Sequence, residues 1–223
     1  MDSYNHKNNE NLVKKFFDNY VYKFDYIYET QYSEQNPLKR FLDKLLRKSM
    51  IDRFNLTKEY IENSNIKTIL DAGCGTGRYS FYFGSKNYDV TGIDISEKMI
   101  DFCNTSKQKT ENTNFVKTSL ENFSTTKNID AIICLGFFDY IDNVEHSLEQ
   151  INKFNPKLVV ASFPNKFNFL NYIRIFRYKM NKCPLFYYTK EQINNFSKIF
   201  PNYDLEIKDL KRDILFILKR KNS

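Results

Sequence analysis

The chain has 223 residues and a formal net charge of +7, from 34 Lys and Arg against 27 Asp and Glu. This length suffices for one α/β domain with a buried core, and no apolar run approaches the ~20 residues that cross a membrane. The polar start carries no signal-peptide pattern, and four scattered cysteines with two histidines lack the spacing of a zinc site. Composition therefore predicts a cytoplasmic protein with no membrane span, disulfide framework or bound metal.

Residues 1–60 show helical rather than strand patterns. Asn36 and Pro37 are a typical N-cap and first helical residue, and Leu and Phe recur at helical spacing over residues 38–46. This segment has too few core residues to fold alone. We therefore expect residues 1–60 to pack as a helical lid on a larger domain formed by residues 61–223.

From residue 65 onward, strand and helix patterns alternate along the chain. The predicted strands lie near residues 67–72, 89–94, 114–118, 129–135, 157–163, 203–210 and 213–220. The predicted helices lie near residues 77–86, 97–107 and 143–154. A further helix opens at Thr189, which forms a capping box with Gln192. This alternation predicts a doubly wound α/β fold, with helices on both faces of a mostly parallel sheet.

The end of the first predicted strand carries the most informative motif. Asp71 closes the strand, and Gly73, Gly75 and Gly77 lead into the next helix. Glycine is needed where a backbone turns sharply and a ligand approaches closely. In the dinucleotide fingerprint Gly-x-Gly-x-x-Gly the third glycine would fall on Arg78, so that motif does not fit. The spacing Asp-x-Gly-x-Gly-x-Gly instead resembles the first motif of the Rossmann-like S-adenosylmethionine (SAM)-dependent methyltransferases.

A second acid, Asp94, ends the next predicted strand about twenty residues after the glycines. In a βαβ unit this spacing puts a carboxylate at the tip of the neighbouring strand, where it can accept both hydroxyls of a ribose. Taken alone, Asp94 could equally be a turn residue that ends the strand. Ser96 is predicted to cap the helix that follows.

The resemblance covers residues 67–164. It implies a seven-stranded sheet whose last strand is antiparallel, with residues 1–60 forming a lid over the cofactor site. It also implies SAM as the cofactor and S-adenosylhomocysteine as the product. By the same resemblance, Asp71 and the Gly73–Gly77 turn hold the amino-acid end of SAM, and Asp94 holds its ribose.

Further cofactor contacts follow from the resemblance alone. Ile95 and Met99 would enclose the adenine, and Ser119 stands where the family usually has an acid beside the adenine amino group. Residues 24–28 resemble a lid motif of small-molecule methyltransferases in which a tyrosine bonds the SAM carboxylate. Packing of one helix on another is the alternative role of such tyrosines. The remaining expected cofactor contacts are Tyr20, Tyr28, Leu120 and Leu135.

Residues 134–141 correspond to the fourth motif of this family, at the carboxyl end of the central strand. If the acceptor is a hydroxyl, it needs a general base, for which we assign Asp139, with Tyr140 or His146 as substitutes. The alternatives are that Asp139 caps the following helix and that His146 is merely exposed. Neither Asn/Asp-Pro-Pro-Tyr nor Pro-Cys occurs here, which disfavours methylation of base nitrogens or pyrimidine carbons.

The excess positive charge is concentrated in one segment. Residues 151–190 contain eight basic and no acidic residues, whereas the rest of the chain is nearly balanced. Guanidinium groups suit phosphate or carboxylate, and two arginines spaced three apart share a helix face. The predicted acceptor-binding residues, in an insertion around 164–190, are Lys166, Arg174, Arg177 and Tyr187. We therefore predict O-methylation of a small anion: a phosphorylated metabolite, a nucleotide-linked sugar or another phosphoryl compound.

Other functions remain open. Basic residues interleaved with Phe and Tyr also bind single-stranded RNA, although an excess confined to about forty residues disfavours nucleic acid. A SAM-binding protein without catalytic activity and a nicotinamide binder are further alternatives. Residues 161–164 and 186–189 resemble enzymes that methylate porphyrin carboxylates. Enzymes of similar size and lid act on bacterial surface sugars, and we prefer this context of surface polysaccharide biosynthesis.

Overall fold

The computed structural model describes residues 8–19, 21, 37–166 and 183–221, with side chains from residue 48 onward in the helix that begins at Pro37. Four predicted site residues lie outside these ranges: Tyr20, Tyr28, Arg174 and Arg177. Within the ranges, no helix is long and apolar enough to cross a membrane.

Six α-helices are present in the described ranges. They are α1 (residues 8–19), α2 (Pro37–Glu62), α3 (Arg78–Ser85), α4 (Glu97–Thr105), α5 (Val144–Lys153) and α6 (Lys190–Phe196). Ser96 caps α4 by accepting from the Met99 N–H, and Thr189 forms a capping box with Gln192 at the start of α6, so both predicted caps are confirmed. Such caps satisfy backbone donors that have no partner in the first turn of a helix.

Seven strands form one sheet in the order β3-β2-β1-β4-β5-β7-β6. They are β1 (Thr68–Ala72), β2 (Asp89–Asp94), β3 (Thr113–Lys117), β4 (Ala131–Cys134), β5 (Leu158–Pro164), β6 (Tyr203–Asp209) and β7 (Asp213–Arg220). All neighbours pair in parallel except β7, which is antiparallel to both β5 and β6. The predicted doubly wound fold with its antiparallel last strand is confirmed, and the predicted strand boundaries agree to within two residues.

Helices cover both faces of the sheet, as the near-continuous apolar character of the central strands requires. The consecutive residues Ile132 and Ile133 of β4 are fully buried on opposite faces. Ile132 belongs to the core that includes Leu148 of α5, whereas Ile133 belongs to the core that includes Ile61 of α2. Strands near the middle of the sheet are therefore buried on both sides, and polar chemistry is confined to their ends.

Parallel pairing brings the carboxyl ends of β1, β2, β4 and β5 to one edge, which we call the site edge, since ligands of open α/β sheets bind there. The register of β5 with antiparallel β7 pairs Pro164 with Asp213, so the first residue of β7 lies at the same edge. The amino ends of the parallel strands form the opposite edge, where Asp130 precedes β4.

Candidate cofactor and acceptor site

The glycine turn after β1 adopts a backbone that other residues rarely adopt. The φ angles of Gly73, Gly75 and Gly77 are 71°, 53° and 80°. The N–H of Gly73 donates to the Ile93 carbonyl at 2.8 Å, which fastens the turn to the end of β2. A Cβ placed on Gly75 would meet no heavy atom within 4 Å, whereas one on Gly73 would stand 2.8 Å from the Phe137 ring. Gly75 therefore presents bare backbone to open space, as a ligand cradle requires.

Asp71 lies beneath this turn. Its carboxylate is only 2% exposed and accepts a 2.7 Å hydrogen bond from the Ser80 hydroxyl of α3. Burial raises the pKa of Asp71 to about 7, and the nearby charge of Asp94 adds to the rise, while the Ser80 hydrogen bond opposes it. The carboxylate is thus ionised only in part near neutral pH, and a cationic ligand would favour its charged form.

Asp94 ties the turn to the start of α4. One of its oxygens accepts from the Gly75 N–H at 3.0 Å and the other from the Ser96 N–H at 2.8 Å. Loss of water raises the pKa of Asp94 to about 6, although these two backbone hydrogen bonds act to lower it. The Asp94 side chain therefore stabilises the turn after β2 by accepting backbone hydrogen bonds, as a turn residue at the end of a strand does. It also lies next to the exposed backbone of Gly75.

The residues expected to enclose the adenine lie around this turn. Ile95 is half-buried and Met99 is completely buried in the first turn of α4. Leu120 is buried, and the half-buried Ser119 accepts a 3.0 Å hydrogen bond from the Asn122 amide. They follow the carboxyl ends of β2 and β3, so the fold brings them to the same side of the sheet as the glycine turn.

Helix α1 packs over the loops that border the turn. Its Asp18 accepts a 2.6 Å hydrogen bond from the Ser96 hydroxyl, and its Asn9 donates to Asp142 at 2.9 Å. The Phe17 ring meets the Tyr140 ring edge-on, with centroids 4.9 Å apart. These contacts link the first helix of the chain to the loops after β2 and β4.

The three candidate catalytic residues lie in different surroundings. Asp139 is buried at 3% exposure, and its backbone carbonyl accepts from the Phe186 N–H at 2.9 Å. Tyr140 is half-buried beneath α1, whereas His146 is exposed in the first turn of α5. Asn143 is the N-cap of α5, so the alternative interpretation of Asp139 as that cap is wrong.

The described parts of the predicted acceptor insertion, residues 164–166 and 183–190, are bonded to the site edge. The Lys166 N–H donates to the Tyr188 carbonyl, and the Tyr188 hydroxyl reaches the carbonyls of Phe138 and Ile141, both at 3.2 Å. The side chain of Lys166 is exposed and that of Tyr187 is half-buried. The second end of the insertion thus contacts the loop after β4, which also holds the buried Leu135, and the first end is joined to that loop through Tyr188.

Four residues that were not predicted as site residues complete this edge: Arg53, Gly136, Phe137 and Ser162. The Arg53 guanidinium donates to the Ser162 hydroxyl at 3.1 Å, and that hydroxyl accepts from the Gly136 N–H at 2.8 Å. Gly136 has a φ angle of 76° and follows the buried strand β4. A glycine just after an apolar strand is the sequence pattern that could have predicted this turn. No sequence pattern distinguishes Arg53, because it resembles any basic residue on the surface of a helix.

No group of three or more His, Cys, Asp or Glu side chains that could hold a metal ion occurs among residues 8–19, 21, 48–166 and 183–221. The two carboxylates beside the glycine turn, Asp71 and Asp94, accept hydrogen bonds from hydroxyl and backbone donors. Their arrangement suits an organic ligand that carries hydroxyl or amino groups.

Comparison with known proteins agrees with this geometry. The Methyltransferase domain family profile matches residues 69–154. The chain is 29% identical over 91 residues to the ubiquinone biosynthesis O-methyltransferase of Rickettsia felis, a match that covers 40% of this chain and 37% of that protein. It is 33% identical over 103 residues to a probable SAM-dependent methyltransferase, TehB, of Haemophilus influenzae, over 42% of this chain and 35% of the relative. The chain therefore spans less than two fifths of the length of these relatives.

A solved structure extends the likeness to the flanks of the matched region. Magnesium protoporphyrin IX methyltransferase of Synechocystis PCC 6803, with bound S-adenosylhomocysteine, superposes with a TM-score of 0.74 at 16% identity, over 96% of this chain and 100% of that chain. At this identity the likeness shows the fold alone. Residues 69–154 are thus similar in sequence to methyltransferase domains, and the described chain has the Rossmann-like fold of a structure that binds S-adenosylhomocysteine.

Proposed function

We propose that the protein transfers a methyl group from SAM to an oxygen atom of a small anionic acceptor and releases S-adenosylhomocysteine. One observation carries the proposal: the bare backbone of Gly75 faces open space beside the carboxylates of Asp71 and Asp94. The amino and sulfonium groups of SAM are cationic, and a cation bound beside these carboxylates would favour their charged forms.

We assign the cofactor contacts by chemistry. A carboxylate has about four lone-pair positions, so Asp94 can accept ribose hydroxyls in addition to the N–H groups of Gly75 and Ser96. Ser119 accepts from Asn122 and retains its own hydrogen as a donor, so its hydroxyl can pair with the edge of an adenine. Ile95, Leu120 and the fully buried Met99 are the proposed apolar contacts of the adenine. Asp71, Gly73, Gly77 and Leu135 complete the predicted cofactor set.

When bound, SAM supplies an electrophilic methyl carbon for an in-line displacement. The residues of the chain contribute mainly by holding the acceptor oxygen in line and excluding water. An acceptor oxygen that is already anionic needs no base, whereas a hydroxyl needs one. Asp139 is our candidate base because it lies in the loop after β4, with Tyr140 next to it. His146, exposed on α5, is the weaker candidate.

The acceptor is proposed to lie between the loop after β4 and the insertion that begins at Lys166. Lys166, Arg174, Arg177 and Tyr187 are its proposed ligands, since this part of the chain carries the unbalanced positive charge. Similarity to an O-methyltransferase over part of the chain supports an oxygen acceptor. Nucleotide-linked sugars and phosphorylated metabolites are the first candidates, as in the decoration of bacterial surface polysaccharides.

The cofactor assignment is tested by calorimetric titration of the protein with SAM, S-adenosylhomocysteine and NAD. We expect micromolar binding of the first two and no measurable binding of NAD. Tight binding of NAD, or no binding of SAM, would overturn the proposal.

The acceptor is tested with methyl-labelled SAM and a panel of sugar nucleotides, phosphorylated metabolites, a porphyrin carboxylate and single-stranded RNA. We expect transfer to a phosphorylated small molecule. Arg174→Ala and Arg177→Ala should raise the KM of that acceptor without changing the Kd of SAM. Transfer to RNA, with an affinity that falls steeply as salt rises, would favour the RNA alternative instead.

A further inference from the structure

A chain of buried polar groups runs from α2 to the loop after β4. The Ser49 hydroxyl donates to Asp213 at 3.0 Å, and Asp213 forms an ion pair with Arg53 at 3.6 Å. Arg53 donates to the Ser162 hydroxyl at 3.1 Å, and the Gly136 N–H donates to the same hydroxyl at 2.8 Å. The four side chains are between 1% and 7% exposed. The network therefore joins a helix and two strands to one backbone N–H at the site edge.

Stability alone is a weak reason to bury these charges. Removing a carboxylate and a guanidinium from water costs more than their mutual attraction usually returns, and well-packed apolar residues often replace such a pair without loss. The ion pair of Arg53 and Asp213 is instead connected through Ser162 to the turn at Gly136, which belongs to the site edge. The guanidinium nitrogens lie 3.7 Å from the position that a Cβ on Gly136 would take, so the guanidinium packs against this turn.

The turn at Gly136 places the side chain of Phe137 against the glycine turn at Gly73. With φ 76°, Gly136 directs the chain so that the Phe137 ring lies 2.8 Å from where a Cβ on Gly73 would stand. The Phe137 ring and the glycine turn therefore touch, and any rotation at Gly136 changes the gap between the cofactor turn and the loop after β4. A shift of ~1 Å in such a gap can lower a transfer rate by about 100-fold.

We propose that Arg53 is a positioning residue: through Ser162 it holds the Gly136 turn, and thereby the Phe137 ring, against the cofactor turn. This inference rests on the proposed methyl transfer for its effect on rate, but not for its structural part. Arg53 itself is nearly inaccessible and is not assigned a contact with the acceptor.

The test compares Ser162→Ala, Arg53→Lys and the double variant Arg53→Met/Asp213→Leu with a matched control, Asp130→Asn. The double variant removes both charges together, so no unpaired charge stays buried; the Ser49 hydroxyl loses its acceptor, and the melting temperature should fall by only a few degrees. Arg53→Lys keeps a charge for Asp213 but loses the planar guanidinium, whose two terminal nitrogens both lie 3.7 Å from the Cβ position of Gly136. The control breaks a comparable buried carboxylate site at the opposite edge, where Asp130 pairs with Lys157 at 2.8 Å.

Two measurements decide the outcome. Hydrogen exchange of the Gly136 amide, followed by NMR, needs no acceptor and should become at least ~10-fold faster in all three site-edge variants but not in the control. With the acceptor that the labelled-SAM panel identifies, kcat should fall ~10–100-fold, while the Kd of S-adenosylhomocysteine changes less than about threefold.

Unchanged exchange at Gly136 in Ser162→Ala and in the double variant would overturn the inference. So would full activity in Arg53→Lys, since a purely structural charge pair is restored by lysine. Failure of the proposed function is distinguishable, because it would appear in the parent protein as a lack of SAM binding or of methyl transfer.

Discussion

The two edges of the sheet bury the same kind of residue in opposite ways. At the opposite edge, Asp130 accepts from the N–H groups of Lys67 and Thr68 and pairs with the ammonium of Lys157. Burial acts to raise the pKa of Asp130, but the Lys157 ammonium and the two N–H groups outweigh it and hold the pKa below its usual value. This carboxylate is neutralised within the protein.

At the site edge, burial raises the pKa of Asp71 to about 7 and that of Asp94 to about 6, and the hydrogen bonds these groups accept only partly offset the rise. The described groups that dominate these two values include no cation. Asp130, like Asp213 beside Arg53, is thus matched by a cation of the protein, whereas no described cation dominates the pKa values of Asp71 and Asp94. We propose that a cationic ligand supplies their partner, and that their burial without one lowers stability. Four substitutions test this difference between Asp130 and the pair Asp71 and Asp94.

Asp94→Ala should have the largest effect. Hydrogen bonds to a charged group contribute ~1.5–3 kcal/mol each, so loss of two to a ribose should raise the Kd of SAM by at least about 100-fold. Isothermal titration calorimetry measures this change. The matched control is Asp89→Ala, at the other end of the same strand, where Asp89 forms an exposed pair with Lys127. Normal SAM binding by Asp94→Ala would remove the ribose assignment.

Asp130→Ala should lower the stability of the fold and leave the affinity for SAM unchanged. It leaves the N–H groups of Lys67 and Thr68 without their acceptor, which should lower the free energy of unfolding by about 2–4 kcal/mol. Urea denaturation measures the loss, and the Kd of SAM for the folded protein should change less than about twofold. A large loss of SAM affinity would show that the edges are not independent.

Asp71→Asn removes the charge of this side chain but keeps its shape, so its effect on stability should depend on pH. Because the folded pKa of about 7 exceeds the ordinary 3.8, protonated Asp71 contributes stability that is complete below about pH 4 and is lost as pH rises to about 7. The shift alone implies ~4 kcal/mol, so Asp71→Asn, which keeps an acceptor for Ser80, should be about 2 kcal/mol more stable than the parent at pH 8.

At pH 4 the Asp71→Asn protein should match the parent in urea denaturation. The Kd of SAM should fall as pH rises from 5 to 8 in the parent and depend less on pH in the variant. A stability difference that is the same at both pH values would contradict the charge argument.

Asp18→Ala should have the smallest effect. It removes the 2.6 Å contact between α1 and the Ser96 hydroxyl, and a single hydrogen bond contributes ~0.5–1.5 kcal/mol. If residues 1–60 act as a lid, the Kd of SAM should therefore rise about 2–10-fold, as measured by calorimetry. Lys15→Ala, at an exposed position of α1, should leave it unchanged. Equal affinities in both variants would count against a lid in this part of the chain.

Local patterns were sufficient for the strands, the caps and the glycine turn. The caps at Ser96 and Thr189 depend on side chains that bond their own first helical turn, so sequence spacing predicts them. The positive φ angles at Gly73, Gly75 and Gly77 likewise belong to single residues. Asp139 shows the limit: a plausible cap by position, it lies in a loop four residues before Asn143, which is the cap.

The alternation of strands and helices and the glycine turn after the first strand follow from the sequence, because each is encoded within a few neighbouring residues. The order of the strands in the sheet comes from the structure. Only the tertiary structure decided which distant side chains meet. Ser49 and Asp213 are 164 positions apart in the sequence, and Arg53 and Ser162 are 109 positions apart. No periodicity of the sequence predicts that these residues meet. The same holds for the unequal treatment of Asp71 and Asp130, because the pKa of a buried carboxylate depends on which groups the fold places around it.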